Sequence, residues 1–384
     1  MYDINALRRE EFPISADYIY FNHASISPLP TRTRNKMQWA TGRLAEHPLN
    51  HFMEDGLPMF TAFNENFARY INAEHPHEIV AIPSTSTGIN LIAQALPFGK
   101  GDNIIFADME FPSNAYPWMS LERDGIEARQ VKSVGGGLTL EALQAAADAN
   151  TKLVAASAVQ FFSGHRTDLA AIGQFCRERG IFFVVDAIQA AGHIKIDVQA
   201  MKIDAVVSGG QKSLLAAPGV GFMYVRDALA SILKPRSIGA NATKDYMFWL
   251  NYDLTPADGA ARLNSGTPNV AGMFALVESL NLINELGVEN IDQHTTGLAA
   301  EMIEQLAGLG YQVVTPREEH SAIVTFNSGR SAEETDKLVM ALNEQRVSIV
   351  KHLDKNGVPH LRASFHCYNT RDEIHQFIEI LKGY

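Results

Sequence analysis

Cysteine is nearly absent from this chain. Only Cys176 and Cys367 occur in 384 residues, which excludes a disulfide framework and a four-cysteine zinc site. Long apolar runs are missing too. No stretch approaches the roughly 20 consecutive apolar residues that span a bilayer, so no membrane partner is expected. Positive charge is in deficit: 32 Lys and Arg stand against 43 Asp and Glu, a formal net charge of −11 with a pI near 5.6. That balance argues against the clustered basic surface a nucleic-acid partner would need and reads as a charge spread for solubility. The start, Met1-Tyr2-Asp3-Ile4-Asn5, has an acidic residue where a signal peptide has a basic region and then an apolar core, so a cytoplasmic protein is expected. The 13 histidines form no helical zinc-protease pattern. Glu74-His75-Pro76-His77-Glu78 reads as a solvated turn, and no metal site is expected.

What is present is an ordinary globular composition, 46% hydrophobic and 20% charged, in a chain long enough for one large and one smaller core. Strand-like runs at Asn103–Phe106, Lys152–Ala156, before Asp186 and before Ser208 alternate with helical patterns at Ile89–Leu96, Leu140–Asp148 and Leu169–Arg179. That rhythm predicts an α/β fold with a mainly parallel sheet and helices on both faces. After an irregular connection come long helical patterns at Ala271–Leu286 and Val288–Leu306. Short strands at Ala322–Phe326 and Val347–Val350, a helix at Ala332–Asn343 and a closing helix at Asp372–Leu381 follow. The expected organisation is an N-terminal arm over 1–15, a large domain over 16–263 and a small α+β domain over 264–384. No internal repeat or low-complexity segment interrupts it.

Lys212 stands out against this background. It ends Ala205-Val206-Val207-Ser208-Gly209-Gly210-Gln211-Lys212, a β-branched run breaking into a small polar turn, while Ile181-Phe182-Phe183-Val184-Val185 upstream ends in Asp186. Parallel α/β sheets collect ligands at the carboxyl ends of their strands. A lysine amine and a buried carboxylate placed there suit pyridoxal phosphate: the lysine forms a Schiff base with its aldehyde, and the carboxylate pairs the pyridinium nitrogen so that the ring becomes an electron sink. Ser84-Thr85-Ser86-Thr87-Gly88, just before the Ile89-Asn90-Leu91 helical pattern, supplies the hydroxyls and helix N-terminus that a phosphate needs.

With Phe21-Asn22-His23-Ala24-Ser25, Glu110-Phe111-Pro112-Ser113-Asn114, Ser265-Gly266-Thr267-Pro268-Asn269 and Leu361-Arg362-Ala363-Ser364 added in that order and spacing, the chain resembles the class V aminotransferase family of fold type I pyridoxal-phosphate enzymes. The resemblance implies a seven-stranded-type sheet in the large domain and assigns residues. Lys212 and Asp186 become catalytic. Thr85 and Ser86 match the phosphate-binding pair, and Gln211 stands where desulfurases carry a phosphate-contacting histidine, with Ser208 nearby. Gln189 takes the position that meets the cofactor's phenolic oxygen; Gln160 aligns near the same oxygen, with a structural role as the alternative. Phe111 matches the residue that stacks on the pyridine ring, a histidine in desulfurases, so that the segment is more similar to epimerase-like and kynureninase-like relatives. Arg362 matches the binder of the substrate α-carboxylate, whose two oxygens suit the guanidinium fork. Asn22 and His23 resemble the segment lining the substrate side, His23 being either a substrate contact or a structural histidine. Thr267 resembles the residue that reaches the other subunit's phosphate, which implies a homodimer with shared active sites.

Desulfurases of this family carry a nucleophilic cysteine before the carboxylate-binding arginine. Here Val347 to Pro359 contains none, which argues against persulfide-forming chemistry. The expected activity is that of an aminotransferase on a small amino acid, working through a Lys212 aldimine. A C–S lyase acting by β-elimination and an epimerase are the alternatives from the same intermediate, and a non-catalytic binding protein is disfavoured by the intact Lys212, Asp186 and Arg362.

Overall fold

Short apolar strands between residues 79 and 225 pair into one seven-stranded sheet. In the computed structural model, which describes every residue except Met1, Tyr246, Phe248 and Trp249, the strands are β1 (Ile79–Ile82), β2 (Asn103–Ala107), β3 (Glu127–Val131), β4 (Thr151–Ser157), β5 (Phe182–Asp186), β6 (Ala205–Gly209) and β7 (Gly221–Val225). Their spatial order is β1-β7-β6-β5-β4-β2-β3. β7 runs antiparallel to both neighbours, and the remaining pairs are parallel.

Alternation along the strands divides the core. Phe183, Val185 and Val206 join one apolar cluster with helices Leu57–Ile71 and Leu169–Glu178. Val184, Ala205 and Val207 join the other with helix Thr85–Ala95. Both faces are covered, as an all-apolar parallel strand requires. Helix Thr85–Ala95 sits close to the sheet because Gly88 has no side chain: a Cβ there would lie 2.6 Å from Val207 and 2.8 Å from Ile82. Its N-terminus is thereby held beside the carboxyl end of β6.

A second, antiparallel sheet follows, ordered β9-β10-β8, from β8 (Ile323–Asn327), β9 (Val350–Leu353) and β10 (Pro359–Ser364). Helices Val288–Gly308, Ala332–Glu344 and Arg371–Leu381 close its core around Met302, Phe326, Leu342 and Phe377. Phe21 from the N-terminal segment enters the same cluster. Helix Val270–Leu286 instead sends Met273, Leu276, Leu280 and Ile283 into the core of the large sheet. The single strand expected over Val347–Val350 is two: Val347–Ser348 pairs in parallel with Ile19–Tyr20, and the chain then changes partner so that β9 pairs with β10. The N-terminal arm forms a helix, Ile4–Glu11, anchored by the Arg8–Glu373 ion pair at 2.8 Å.

Three buried histidines, His23, His193 and His366, meet where the N-terminal segment, the loop after β5 and the turn after β10 converge. The His366 ring lies 4.1 Å from that of His193 and 5.4 Å from that of His23. His366 Nδ1 accepts from the Cys367 amide, so Nε2 carries the proton and donates to the Ser213 carbonyl at 2.9 Å. Burial holds all three below the ordinary imidazole range, His193 at about 4. A histidine with a lowered folded-state pKa takes up its proton more readily when unfolded. Stability is therefore complete above the unfolded value of about 6.5 and drains away as pH falls through the folded value. The expected loss for His193 between pH 7 and pH 4 is on the order of 3 kcal/mol. Urea unfolding at each pH, with His193→Phe as the comparison, checks it: the variant should show a flatter acid limb, and an identical limb would assign the acid loss to other groups.

Candidate active site

A cavity of about 350 Å³ opens at the carboxyl edge of the large sheet, facing the small one. It is lined from one side by Ser84, Thr85, Ser86, Phe111, Asp186, Gln211 and Lys212, and from the other by Ala24, Ser25, Phe161, His352 and Arg362.

Asp186 is the last residue of β5, and Lys212 follows the end of the adjacent parallel strand β6. The loops carrying them are stapled together by Ser213 Oγ, which donates to the Ile188 carbonyl at 3.0 Å. Asp186 itself accepts from the Ile188 amide at 3.0 Å. Burial pushes its carboxyl up to about 6, against the opposing pull of that amide and of Lys212. Burial brings the Lys212 amine down to about 8, with Asp186 opposing and Arg362 adding to the shift. Both groups are thus brought near neutral pH, one a carboxylate and the other an amine that releases its proton readily. The Lys212 Nζ lies 5.4 Å from the centroid of Phe111, whose ring is 41% exposed toward the cavity mouth.

Below Phe111, Glu110 is buried and gathers the side-chain amides of Asn114 and Gln160 and the amide and hydroxyl of Ser157. Burial raises its carboxyl to about 7. This cage fixes the end of β4 against the segment that presents Phe111. At the other end, the Ser84 hydroxyl caps helix Thr85–Ala95 by accepting from the Thr87 amide. Thr85 Oγ1 accepts from the Gly209 amide at 2.9 Å, tying the helix to the lysine loop. Ser86 Oγ meets Ser113 Oγ at 2.6 Å.

Arg362, on β10, is 2% exposed. It donates to the Phe161 carbonyl at 2.7 Å and to Ser25 Oγ at 2.8 Å, and its Nε is buried without a partner. Among the described residues no carboxylate pairs with it. Burial pulls the guanidinium down to about 10. A buried cation whose partners are all neutral is costly.

Of the residues singled out from sequence, Lys212, Asp186, Thr85, Ser86, Phe111, Gln211 and Arg362 border this one cavity. Gln189 lies behind it, donating to the Ala24 carbonyl at 2.9 Å. Gln160 is committed to Glu110, and the Ser208 hydroxyl donates to the Gly209 carbonyl. Asn22 bridges to Ser364, and His23 belongs to the histidine cluster, its Nδ1 2.9 Å from Ser27 Oγ. Thr267 is exposed on the rim of a separate cavity with Pro83, Gly219 and Asn269. Sequence reasoning missed Ser25, Phe161 and His352. For His352 a signal existed: Asn356-Gly357 is a hairpin turn dipeptide, which would have folded Val350–Leu353 onto the Arg362 strand.

The donor set has the chemistry of a two-ended ligand. Hydroxyls and a helix N-terminus at one end suit a phosphate, an acid and an amine sit at the middle, and an aromatic face lies alongside. Pyridoxal phosphate has those features, and the residues fit it. No group of three or more metal-ligating side chains occurs among the described residues, and none of their helices is long and apolar enough to cross a membrane.

Comparison with known proteins places the chain in a family and a fold. The family described as Aminotransferase class-V matches residues 19–377. A probable cysteine desulfurase of Methanothermobacter thermautotrophicus is 28% identical over 97% of the chain and 96% of its own length. An uncharacterized aminotransferase, YcbU, of Bacillus subtilis is 30% identical over 83% of the chain and 82% of its own length. Among solved structures, the cystine C–S lyase C-DES, in complex with its reaction product cysteine persulfide, superposes with a TM-score of 0.89 at 22% identity, covering 97% of this chain and all of that one. A mutant of C-DES was solved with glycine covalently linked to its PLP cofactor.

If Arg362 is kept for a ligand rather than for the fold, Arg362→Met should leave the midpoint of urea unfolding of the cofactor-free protein unchanged or raised. A cation holding a structural ion pair would instead cost about 3–5 kcal/mol on removal.

Proposed function

The chain belongs to the aminotransferase class-V family, and from that membership we propose that it is a pyridoxal 5'-phosphate enzyme acting on a small α-amino acid, with transfer of the amino group as its reaction. The observation that carries this reading is the placement of Arg362 opposite Lys212 and Asp186 across one cavity. A buried cation without a counter-charge faces the amine and acid that the cofactor needs, and an α-carboxylate supplies the missing anion.

Bound pyridoxal phosphate supplies an electron sink for the pair left on the substrate α-carbon when its proton departs. Lys212 takes that proton, since an amine with a pKa of about 8 is a base matched to neutral pH. Asp186, ionised above about pH 6, holds a proton on the ring nitrogen. Phe111 offers a stacking face, and the hydroxyls of Thr85 and Ser86 with Gln211 and the helix N-terminus hold the phosphate. Gln189, Gln160 and Ser208 support the cofactor loops from behind. Arg362 orients the substrate by a bidentate pair, using donors that now reach Ser25 and the Phe161 carbonyl. A homodimer would bring Thr267 of the partner subunit to the phosphate, and a cytoplasmic setting suits two reduced cysteines.

A second reading, β-elimination at a C–S bond, is favoured by the relatives named desulfurases and by the cystine C–S lyase of the same fold. A protein-bound persulfide does not fit: Cys176 and Cys367 are both buried, and burial pushes the Cys176 thiol up to about 12 and the Cys367 thiol higher. Sulfur would have to leave on the product.

Incubating the cofactor-loaded protein with single amino acids, with and without a 2-oxo acid acceptor, separates the two. Conversion of the cofactor to its amine form with one equivalent of 2-oxo acid released, and continued turnover only in the presence of acceptor, supports aminotransfer. Pyruvate and ammonia without acceptor support elimination, and neither outcome with any amino acid would remove the proposal. Lys212→Ala should lose both turnover and the borohydride-stable cofactor adduct. Asp186→Asn should still bind cofactor and lose about 10²–10³-fold in kcat, the cost of removing one partner of a developing charge, with KM little changed.

A further inference from the structure

The turn that carries Lys212 is held at its carbonyls. That of Gln211 accepts from the Ser27 amide at 2.9 Å, that of Lys212 from the Leu215 amide at 2.9 Å, and that of Leu215 from the buried Ser279 hydroxyl at 2.7 Å. Leu215 sits at φ 55°, a left-handed conformation that leucine keeps only where its surroundings impose it. A strained turn has an unstrained alternative nearby, so whatever stops it relaxing also keeps the lysine aimed.

The Ser213 carbonyl is the next peptide group after the lysine. Among the described residues its only donor is His366 Nε2, at 2.9 Å. Gly192 makes room for the carbonyl, since a Cβ there would run into the Ser213 oxygen. The imidazole has little freedom to leave. His366 is fully buried, its ring lies against that of His193, and its own amide donates to Asn369 Oδ1 at 2.8 Å. Nδ1 is filled by the Cys367 amide, which puts the proton on Nε2. Burial, with His193 and His23 adding to it, keeps the ring neutral, so the donor does not depend on taking up a charge.

We infer that His366 is a positioning residue for Lys212: its Nε2–H holds the Ser213 carbonyl and with it the strained turn that aims the lysine amine into the cavity. The inference rests on the reading of Lys212 as the amine that takes the cofactor. His366 does not line the cavity and acts only through the turn. It follows Arg362 by four residues, just past the end of β10, so its bond ties the segment carrying that guanidinium to the lysine by a route outside the cavity. Without the donor, the buried Ser213 carbonyl is left unpaired. The turn then relaxes, and Lys212 swings toward the cavity mouth, where better solvation restores an ordinary amine.

Two amide side chains separate the two bonds of the ring. His366→Gln places a nitrogen where Nε2 stood and keeps the donor to Ser213. His366→Asn places an oxygen where Nδ1 stood, keeps the acceptor for the Cys367 amide and falls short of Ser213. The readout is the rate at which the full-length cofactor-free chain forms a borohydride-stable adduct with pyridoxal phosphate across pH, with urea unfolding as the check on fold. In the wild type that rate should rise through a midpoint near pH 8 as Lys212 loses its proton. His366→Asn should raise the midpoint by about one pH unit and so slow the reaction about fivefold at pH 8, while His366→Gln stays within about twofold of the wild type. A wild-type midpoint in His366→Asn overturns the assignment, and if urea unfolding is weakened at the same time His366 is purely structural. A folded His366→Gln as impaired as His366→Asn overturns it too. Should His366→Asn fail to fold, His366→Gln decides alone: a wild-type midpoint upholds the role and a raised one removes it. No adduct in the wild type would instead sink the reading of Lys212.

Discussion

Two opposite charges at the ends of adjacent parallel strands set the terms for the rest of this molecule. Burial drives Asp186 toward its acid form and Lys212 toward its free amine, and each is held partly charged by the other. An apolar sheet pays for such a pair only where the backbone around it is fixed. Here the fixing is explicit. The Ser213 hydroxyl ties the lysine loop to the loop after Asp186, Thr85 ties the lysine loop to the helix N-terminus, and the Ser27 amide donates to the Gln211 carbonyl at 2.9 Å. Gly88, by letting the helix lie against Val207, brings its positive end to the same edge.

The N-terminal segment is the second structural necessity, because the cavity lies on a seam. Its backbone runs beside β10 through the Asn22–Ser364 bridge, and the Ala24 amide donates to Ser364 Oγ at 2.8 Å. On its other side the Ala24 carbonyl accepts from Gln189 of the large sheet. Ser25 then meets Arg362. One short stretch thus joins the strand that carries the cation to the loops that carry the amine and acid. Arg362 reaches across the same seam to the Phe161 carbonyl beyond β4.

The parallel sheet and the heart of the site were legible because both are local. β2, β4, β5 and β6 are continuous apolar runs with turn residues after them, and Asp186 and Lys212 stand at their ends. β3 was not legible: Glu-Ala-Arg-Gln-Val has no apolar alternation, and it is a strand because it pairs with β2 at the sheet edge, where Arg129 bridges Glu127 and Asp148. β1 is only four residues, and its pairing with β7 spans some 140 residues of chain. Helices Thr31–Glu46 and Leu57–Ile71 were passed over. The first has mostly polar composition and little apolar period, and its packing on helix Val270–Leu286, with Thr33 Oγ1 3.1 Å from Ser279 Oγ, is long-range. For Gln160 and His23 the sequence left a structural role open beside a site role, and, as for Ser208, the partner each side chain takes is decided by the tertiary fold.

His352 marks the same boundary from the other side. The stretch before Arg362 was read for the cysteine it lacks, and that absence has a structural counterpart. Val350–Leu353 and Pro359–Ser364 close into a tight antiparallel hairpin across Asp354–Val358, with Gly357 at φ 78° completing the turn. A hairpin that short keeps its tip at the end of the ladder and offers no extended loop to carry a nucleophile over the cavity. The same register instead turns an imidazole inward beside Arg362. This stretch thus brings a fixed imidazole, and no thiol, to the cavity wall.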